Sequence, residues 1–166
     1  MTEAYPKAIS GRHAIVIFDT NFGNTERIGK CISTGLRRAG VAVECFNTRE
    51  TRPEALKAYD LIVMGAPTQK FTASKPMKEF IDQLDVKTGL TGKAFFAFDT
   101  KLPSRFSGSA AKYIESRLEQ IGLQELAQRS SAIGRGSTFK LDEGEEKRFE
   151  EIGMELGRSL SRQNQE

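Results

Sequence analysis

Tryptophan is absent from this 166-residue chain, histidine occurs once and cysteine twice. So few soft ligands leave little room for metal chemistry, and no metal site is expected. Cys31 and Cys45 stand at a spacing that matches no zinc or redox motif. They read as two reduced, largely buried thiols, although only a distance decides whether they bridge. Long apolar runs are missing too. The longest, "LIVMGAP" at 61–67, is far too short to span a bilayer. The opening "MTEAYPKAISGR" lacks the apolar centre of a signal peptide. These absences point to a soluble cytoplasmic protein with no membrane insertion. Net charge is only +3; the stretch from Asp142 to Glu166 holds eight acids and four bases, so it sums to −4 and the rest to +7. The bases are spread out, with no interleaved aromatics, which argues against a nucleic-acid partner and tilts the chain toward anionic ligands.

What is present alternates. "HAIVIFD" is a short run rich in Ile and Val, fit for a strand buried on both faces. A helical pattern follows from Asn24, which can cap it, to Gly40, which can close it, with Ile28, Cys31, Ile32 and Leu36 on one stripe. "VAVECFN" is a second strand, "TRPEALKAYD" a turn or short helix, and "LIVMGAP" a third strand. "SKPMKEFIDQL" is a helix with Pro76 in its first turn and Met77, Phe80, Ile81 and Leu84 inward. "KAFFAFD" is the fourth strand. The next helix buries Ala111, Ile114, Leu118 and Ile121 and stops at Gly122, with Ser107 and Ser109 available as caps. A polar fifth strand is expected within 124–133, at an edge. The last helix is expected from near Leu141, with Phe149, Ile152, Leu156 and Leu160 inward and Gly153 and Gly157 packing closely on the sheet.

Alternating strands and helices imply an α/β fold, a doubly wound parallel sheet with helices on both faces. Five strands fit the order 2-1-3-4-5, in which ligands sit beyond the carboxyl ends of the strands. Lone His13 falls at the other end of the first strand and is a poor general base. No catalytic residue stands out.

Three loops therefore carry the argument. The first, "DTNFGNTE", joins a strand end to a helix start, where free N–H groups and a partial positive charge can hold phosphate without lysine. Thr20, Asn21, Asn24 and Thr25 can donate hydrogen bonds, and Gly23 lets a ligand approach the backbone. It is neither a P-loop nor a dinucleotide fingerprint. Composition alone is equally consistent with an ordinary capped turn.

Position by position, Val16, Ile17, Phe18, Thr20, Gly23, Thr25 and Ile32 match the flavodoxin signature, so the chain resembles the flavodoxin family. Gly29 departs from it, where alanine is preferred. The resemblance covers almost the whole length and implies a flavodoxin-like domain over 1–166, with 1–11 a flexible lead-in and 161–166 a flexible tail. It implies that the first loop wraps the phosphate of FMN. Phe22 sits at a position the signature leaves free and leans toward the ribityl chain or a partner. It also implies ring contacts from "GAPTQKFTASKP", namely Pro67, Thr68, Gln69, Lys70 and Phe71; Phe71 either stacks on the ring or folds back on its helix. The third loop, "FDTKLPSRFSGS", offers Asp99, Thr100, Lys101 and Phe106, where the family carries a tyrosine that this chain lacks; Phe106 is either that cover or core.

The family implies an electron carrier that exchanges electrons with redox partner proteins, as a monomer or weak dimer. Around the three loops stand four bases, Lys70, Lys75, Lys101 and Arg105, and two acids, Asp19 and Asp99. Such a mouth favours the anionic reduced cofactor, hence a less reducing couple than in acidic relatives, unless the bases all point into solvent. A phosphorylated receiver domain shares the topology but needs paired acids that are missing here. An FMN-dependent NAD(P)H or quinone reductase and an interaction module without flavin remain as rivals.

Overall fold

The run from Ala14 to Phe18 offers solvent no polar side chain, and it is buried throughout. The computed structural model describes residues 11–85, 88–104 and 106–163. In chain order β1 (His13–Phe18) leads to α1 (Asn24–Arg38), β2 (Ala42–Asn47), a 3-10 helix (Pro53–Ala58), β3 (Leu61–Gln69), β4 (Thr72–Ala73) and α2 (Lys75–Asp82). There follow β5 (Ala94–Lys101), α3 (Ala110–Ile121), β6 (Gln124–Glu125), β7 (Ser130–Arg135), β8 (Lys140–Leu141) and α4 (Glu145–Arg162). The five main strands run parallel in the order β2-β1-β3-β5-β7, which is the expected 2-1-3-4-5 winding.

Three short strands enlarge the sheet to eight. β4 turns back antiparallel on β3, and β8 turns back antiparallel on β7. β6 is the first piece of the expected fifth strand. It pairs Gln124 and Glu125 with Ala94 and Phe95, and β7 resumes with Ser130 opposite Phe98. Residues 126–129 thus stand opposite only Phe96 and Ala97, a bulge that frees Leu126 and Ala127 to pack on the core. The last helix also starts later than expected. Leu141 pairs with Gly134 in β8, and α4 begins at Glu145 after Gly144, whose φ of 86° turns the chain. The carboxylate of Glu145 accepts the Ile133 N–H at 2.8 Å and is held below the usual range by hydrogen bonds from Arg148. α4 runs through Arg162, so residues 161 and 162 are helical; the expected lead-in over 1–10 and tail over 164–166 lie outside the described residues.

Two cores flank the sheet. One joins Ile15, Ile17, Ile62 and Met64 to the inward residues of α2 and α3. The other joins Val16, Val63, Phe96 and Phe98 to Ile28, Ile32 and Leu36 of α1 and Phe149, Leu156 and Leu160 of α4. The glycines of α4 serve that second layer differently from expectation: they face α1, not the sheet. A Cβ at Gly153 would come within 2.2 Å of the Ile32 carbonyl oxygen, and one at Gly35 within 2.0 Å of the Glu150 carbonyl oxygen. Backbone therefore touches backbone where the two helices cross. Cys31 and Cys45 are free and only half buried. Burial, with Glu146 and Glu150 nearby, raises the Cys31 thiol to about 11, so it stays protonated and unreactive. His13 is exposed and donates its backbone N–H to Asp60. Among the described residues no helix is long and apolar enough to cross a membrane.

Gly153→Ala forces α4 away from α1. Urea unfolding should show a loss of about 1–3 kcal/mol or more, because the obstacle is backbone and cannot rotate aside. An unchanged midpoint would mean that the helices do not cross so closely.

Candidate functional site

At the carboxyl end of β1 the chain is tied to its neighbours. The Asp19 N–H donates to the Gly65 carbonyl at 3.1 Å, and the Phe18 carbonyl accepts from Thr48 at 3.0 Å. Thr20 Oγ1 accepts the Gly23 N–H at 2.9 Å, closing a tight turn. Gly23 then takes φ 88°, a region open to glycine, and α1 starts at the next residue. No side chain caps that start. Asn24, the expected cap, points elsewhere: its Nδ2 donates to the Phe139 carbonyl at 2.6 Å. The residue at the N-cap position is Gly23, which has no side chain to offer. The first-turn N–H groups of α1 therefore keep their donor capacity and the positive end of the helix dipole. A Cβ built at Gly23 meets nothing within 4 Å, so this start opens onto free space.

The space is a cleft lined by Thr20, Asn21, Phe22, Asn24, Thr25, Pro67, Thr68, Thr100 and Phe139. No lining residue is charged, and much of the wall is apolar. Phe22 projects from it with 81% of its surface exposed. Buried Thr25 shares a hydrogen bond with Thr100 at 2.9 Å, which couples α1 to the end of β5. An uncapped helix start, hydroxyl and amide donors and apolar walls fit a ligand with an anionic end and a flat apolar body.

Eight of the residues expected from sequence are thus brought together, and Gly23 shapes their turn. The others stand around or below them. Asp99 is fully buried beneath the cleft. Its Oδ2 accepts from Ser109 Oγ at 2.7 Å, the Ala111 N–H at 3.0 Å and Thr68 Oγ1 at 3.2 Å. Thr68 Oγ1 in turn accepts the Ala110 N–H, and Ser109 caps α3 by accepting from Lys112. This carboxylate fixes the start of α3 to β3 and β5, while its Oδ1 has no hydrogen-bond partner among the described residues. Gln69 and Lys70 line a separate groove with Lys75 and Lys78. Lys101 donates from Nζ to the Gly108 carbonyl at 2.8 Å. Phe106 is 75% exposed, so it is not core; Arg105 lies outside the described residues.

Phe71 is held outward under strain. Lys70 and Phe71 form the two-residue turn of the β3–β4 hairpin, with φ of 47° and 74°. Both positions prefer glycine or asparagine, and L side chains there cost about 1–2 kcal/mol each. The Phe71 backbone pairs with Gly108, where a Cβ would come within 2.1 Å of the Phe71 carbonyl oxygen. The ring is 71% exposed and is not folded back on α2. Positive φ at both central residues is what a tight two-residue hairpin turn requires.

Sequence reasoning missed Phe139. It follows β7, has φ 51°, and its ring covers Gly134, where a Cβ would come within 2.4 Å of it. Gly134 in a strand was a signal of close approach, and the rule of carboxyl-end loops also reaches this one.

The family profile described as Flavodoxin matches residues 16–152. An NAD(P)H dehydrogenase (quinone) of Archaeoglobus fulgidus is 30% identical over 112 residues, 51% of this chain and 59% of that protein. A flavodoxin of Clostridium saccharobutylicum is 31% identical over 86 residues, 51% of this chain and 53% of that protein. The chain therefore spans little more than half the length of these curated relatives. The solved structure of a flavodoxin from the domain Archaea superposes with a TM-score of 0.75 at 21% identity, covering 89% of this chain and 98% of that one.

Phe71→Gly removes the turn strain and little packing. Thermal unfolding without ligand should show a stability equal to the parent or higher by up to about 1 kcal/mol. A clear loss would mean that the exposed ring is structurally needed.

Proposed function

The chain belongs to the flavodoxin family, and on that premise we propose that it binds FMN without a covalent bond and carries electrons between redox proteins. The observation that carries this reading is the uncapped start of α1, opening into an uncharged cleft of hydroxyl and amide donors. In it the N–H groups of α1, with Thr20, Asn21 and Thr25, hold the terminal phosphate. Phe22 and Phe139 wall the middle of the cleft. Pro67 and Thr68 meet the ring, and Phe71 stacks on it, since its ring is already presented outward. The flavin supplies the one- or two-electron chemistry; the chain binds it, orients it and sets its electrostatic surroundings. Asp99 acts from below, by keeping Thr68 and the start of α3 in place. The protein so read is a cytoplasmic carrier, monomeric or weakly dimeric.

A reductase is the second reading, favoured by the quinone dehydrogenase relative. Steady-state oxidation of NAD(P)H by the FMN-loaded protein separates the two. Sustained turnover supports the enzyme; none, with rapid electron exchange with a reductase, supports the carrier.

Titration of the chain into FMN should quench flavin fluorescence with micromolar or tighter affinity. Thr25→Val deletes a hydroxyl of the cleft and should weaken binding about tenfold, the worth of one hydrogen bond near 1.4 kcal/mol. No quenching by the parent chain overturns the proposal.

The rim carries Lys70 and Lys101, while Lys75 faces Glu79 at 3.8 Å. A positive rim favours the more negative reduced cofactor. Lys70→Glu should therefore lower the potential of the bound flavin by about 10–40 mV, the range for an exposed charge. A rise on spectroelectrochemical titration would contradict this sign.

A further inference from the structure

Among the described residues the exposed large apolar side chains are Phe22, Phe71, Leu102 and Phe106, and all four lie in loops at the carboxyl edge of the sheet. Scattered exposure is ordinary, whereas a cluster at one edge marks an interaction surface. Phe71 and Phe106 belong together, since the Phe71 backbone pairs with Gly108 two residues beyond Phe106. Beside them lies a shallow groove between the β3–β4 turn and the start of α2, lined by Gln69, Lys70, Thr72, Ala73, Lys75 and Lys78. Three of these six are lysines and none is an acid. Lys101 adds a fourth cation next to Gly108. Glu79 pairs loosely with Lys75 at 3.8 Å. Lys78 is steadied over the Tyr113 ring, its Nζ 5.1 Å from the ring centre. The groove is thus a preformed cationic cradle joined to two exposed rings.

We propose that this face docks the acidic surface of a partner protein, with Leu102 and Phe106 of the β5–α3 loop as apolar anchors and Lys70, Lys75 and Lys78 receiving its carboxylates. Apolar anchors within a charged rim are the anatomy of a transient protein interface, and the rim selects the partner by sign and speeds encounter. A groove suits protruding carboxylate side chains better than the plane of a lipid surface. The partner's role in electron exchange rests on the flavin reading above; the docking surface itself does not require bound flavin.

Fluorescein-labelled poly-L-glutamate tests it by fluorescence anisotropy, with the full chain measured both with and without FMN. The chain should bind the peptide, less so as salt is added. The triple variant Lys70→Glu, Lys75→Glu, Lys78→Glu should bind about tenfold or more weakly. A matched charge change elsewhere, Lys30→Glu, Lys57→Glu and Lys147→Glu on α1, the 3-10 helix and α4, should alter binding less than about twofold. Phe106→Ser, which leaves charge untouched, should weaken the peptide little. It should slow electron exchange with an acidic acceptor protein more than with ferricyanide ion. Equal losses in the two charge variants, or no binding by the parent, overturn the proposal. So does tighter binding to phosphatidylserine vesicles with the same lysine dependence, which would make the face a membrane surface. If FMN fails to bind while the peptide binds as expected, the flavin reading falls and the docking surface stands.

Discussion

The start of α1 has no side chain to close it, and the cleft is organised around that vacancy in hydrogen bonding. A helix end this close to the sheet would ordinarily be capped by the serine, threonine, aspartate or asparagine before it. Here glycine holds that place, Thr20 is spent on the turn, and Asn24 reaches across to the Phe139 carbonyl. Each of these choices leaves the first-turn N–H groups to an outside acceptor. The loop can lack charge because aligned peptide dipoles and N–H groups attract an anion without lysine.

Such an open end is useful only if it is rigid, and the packing makes it so. Phe98 lies against Gly65, where a Cβ would come within 2.1 Å of its ring, and reaches Phe149 of α4 at 6.2 Å. Gly35 and Gly153 let α4 press on α1, so the helix whose start opens into the cleft is backed from behind. On the other side of the sheet Asp99 ties β3, β5 and α3 at a single carboxylate oxygen. The two ends of the cleft are thereby set by two separate anchors that share β5. Thr25 and Thr100 join them directly.

Much of this was legible in the residues. The apolar runs of β1, β3 and β5 and the stripes of α1, α2 and α3 gave the winding, because burial of whole faces is what those patterns encode. The first loop stood out through a long, specific spacing, and its residues line the cleft. Other features escaped for physical reasons. Residues 126–129 leave the ladder in a bulge, which no periodicity announces. The late start of α4 depends on Gly144 and on Leu141 pairing in β8, a tertiary choice. Asn24 looked like a cap because its competitor for that side chain, the Phe139 carbonyl, is 115 positions away. Asp99 at the end of its strand gave no sign of the three hydrogen bonds, from Thr68, Ser109 and the Ala111 N–H, that make it a tie between β3, β5 and α3. Gly153 and Gly157 signalled close packing correctly, but which neighbour they meet is decided by the fold.

The central claim is that the α1 start binds a phosphate through uncharged groups. The most direct measurement compares the affinities of FMN and riboflavin, which differ only in that phosphate. Two or more hydrogen bonds to a charged group should make FMN bind about a hundredfold more tightly or better. Equal affinities would place the cofactor's phosphate elsewhere and contradict the account.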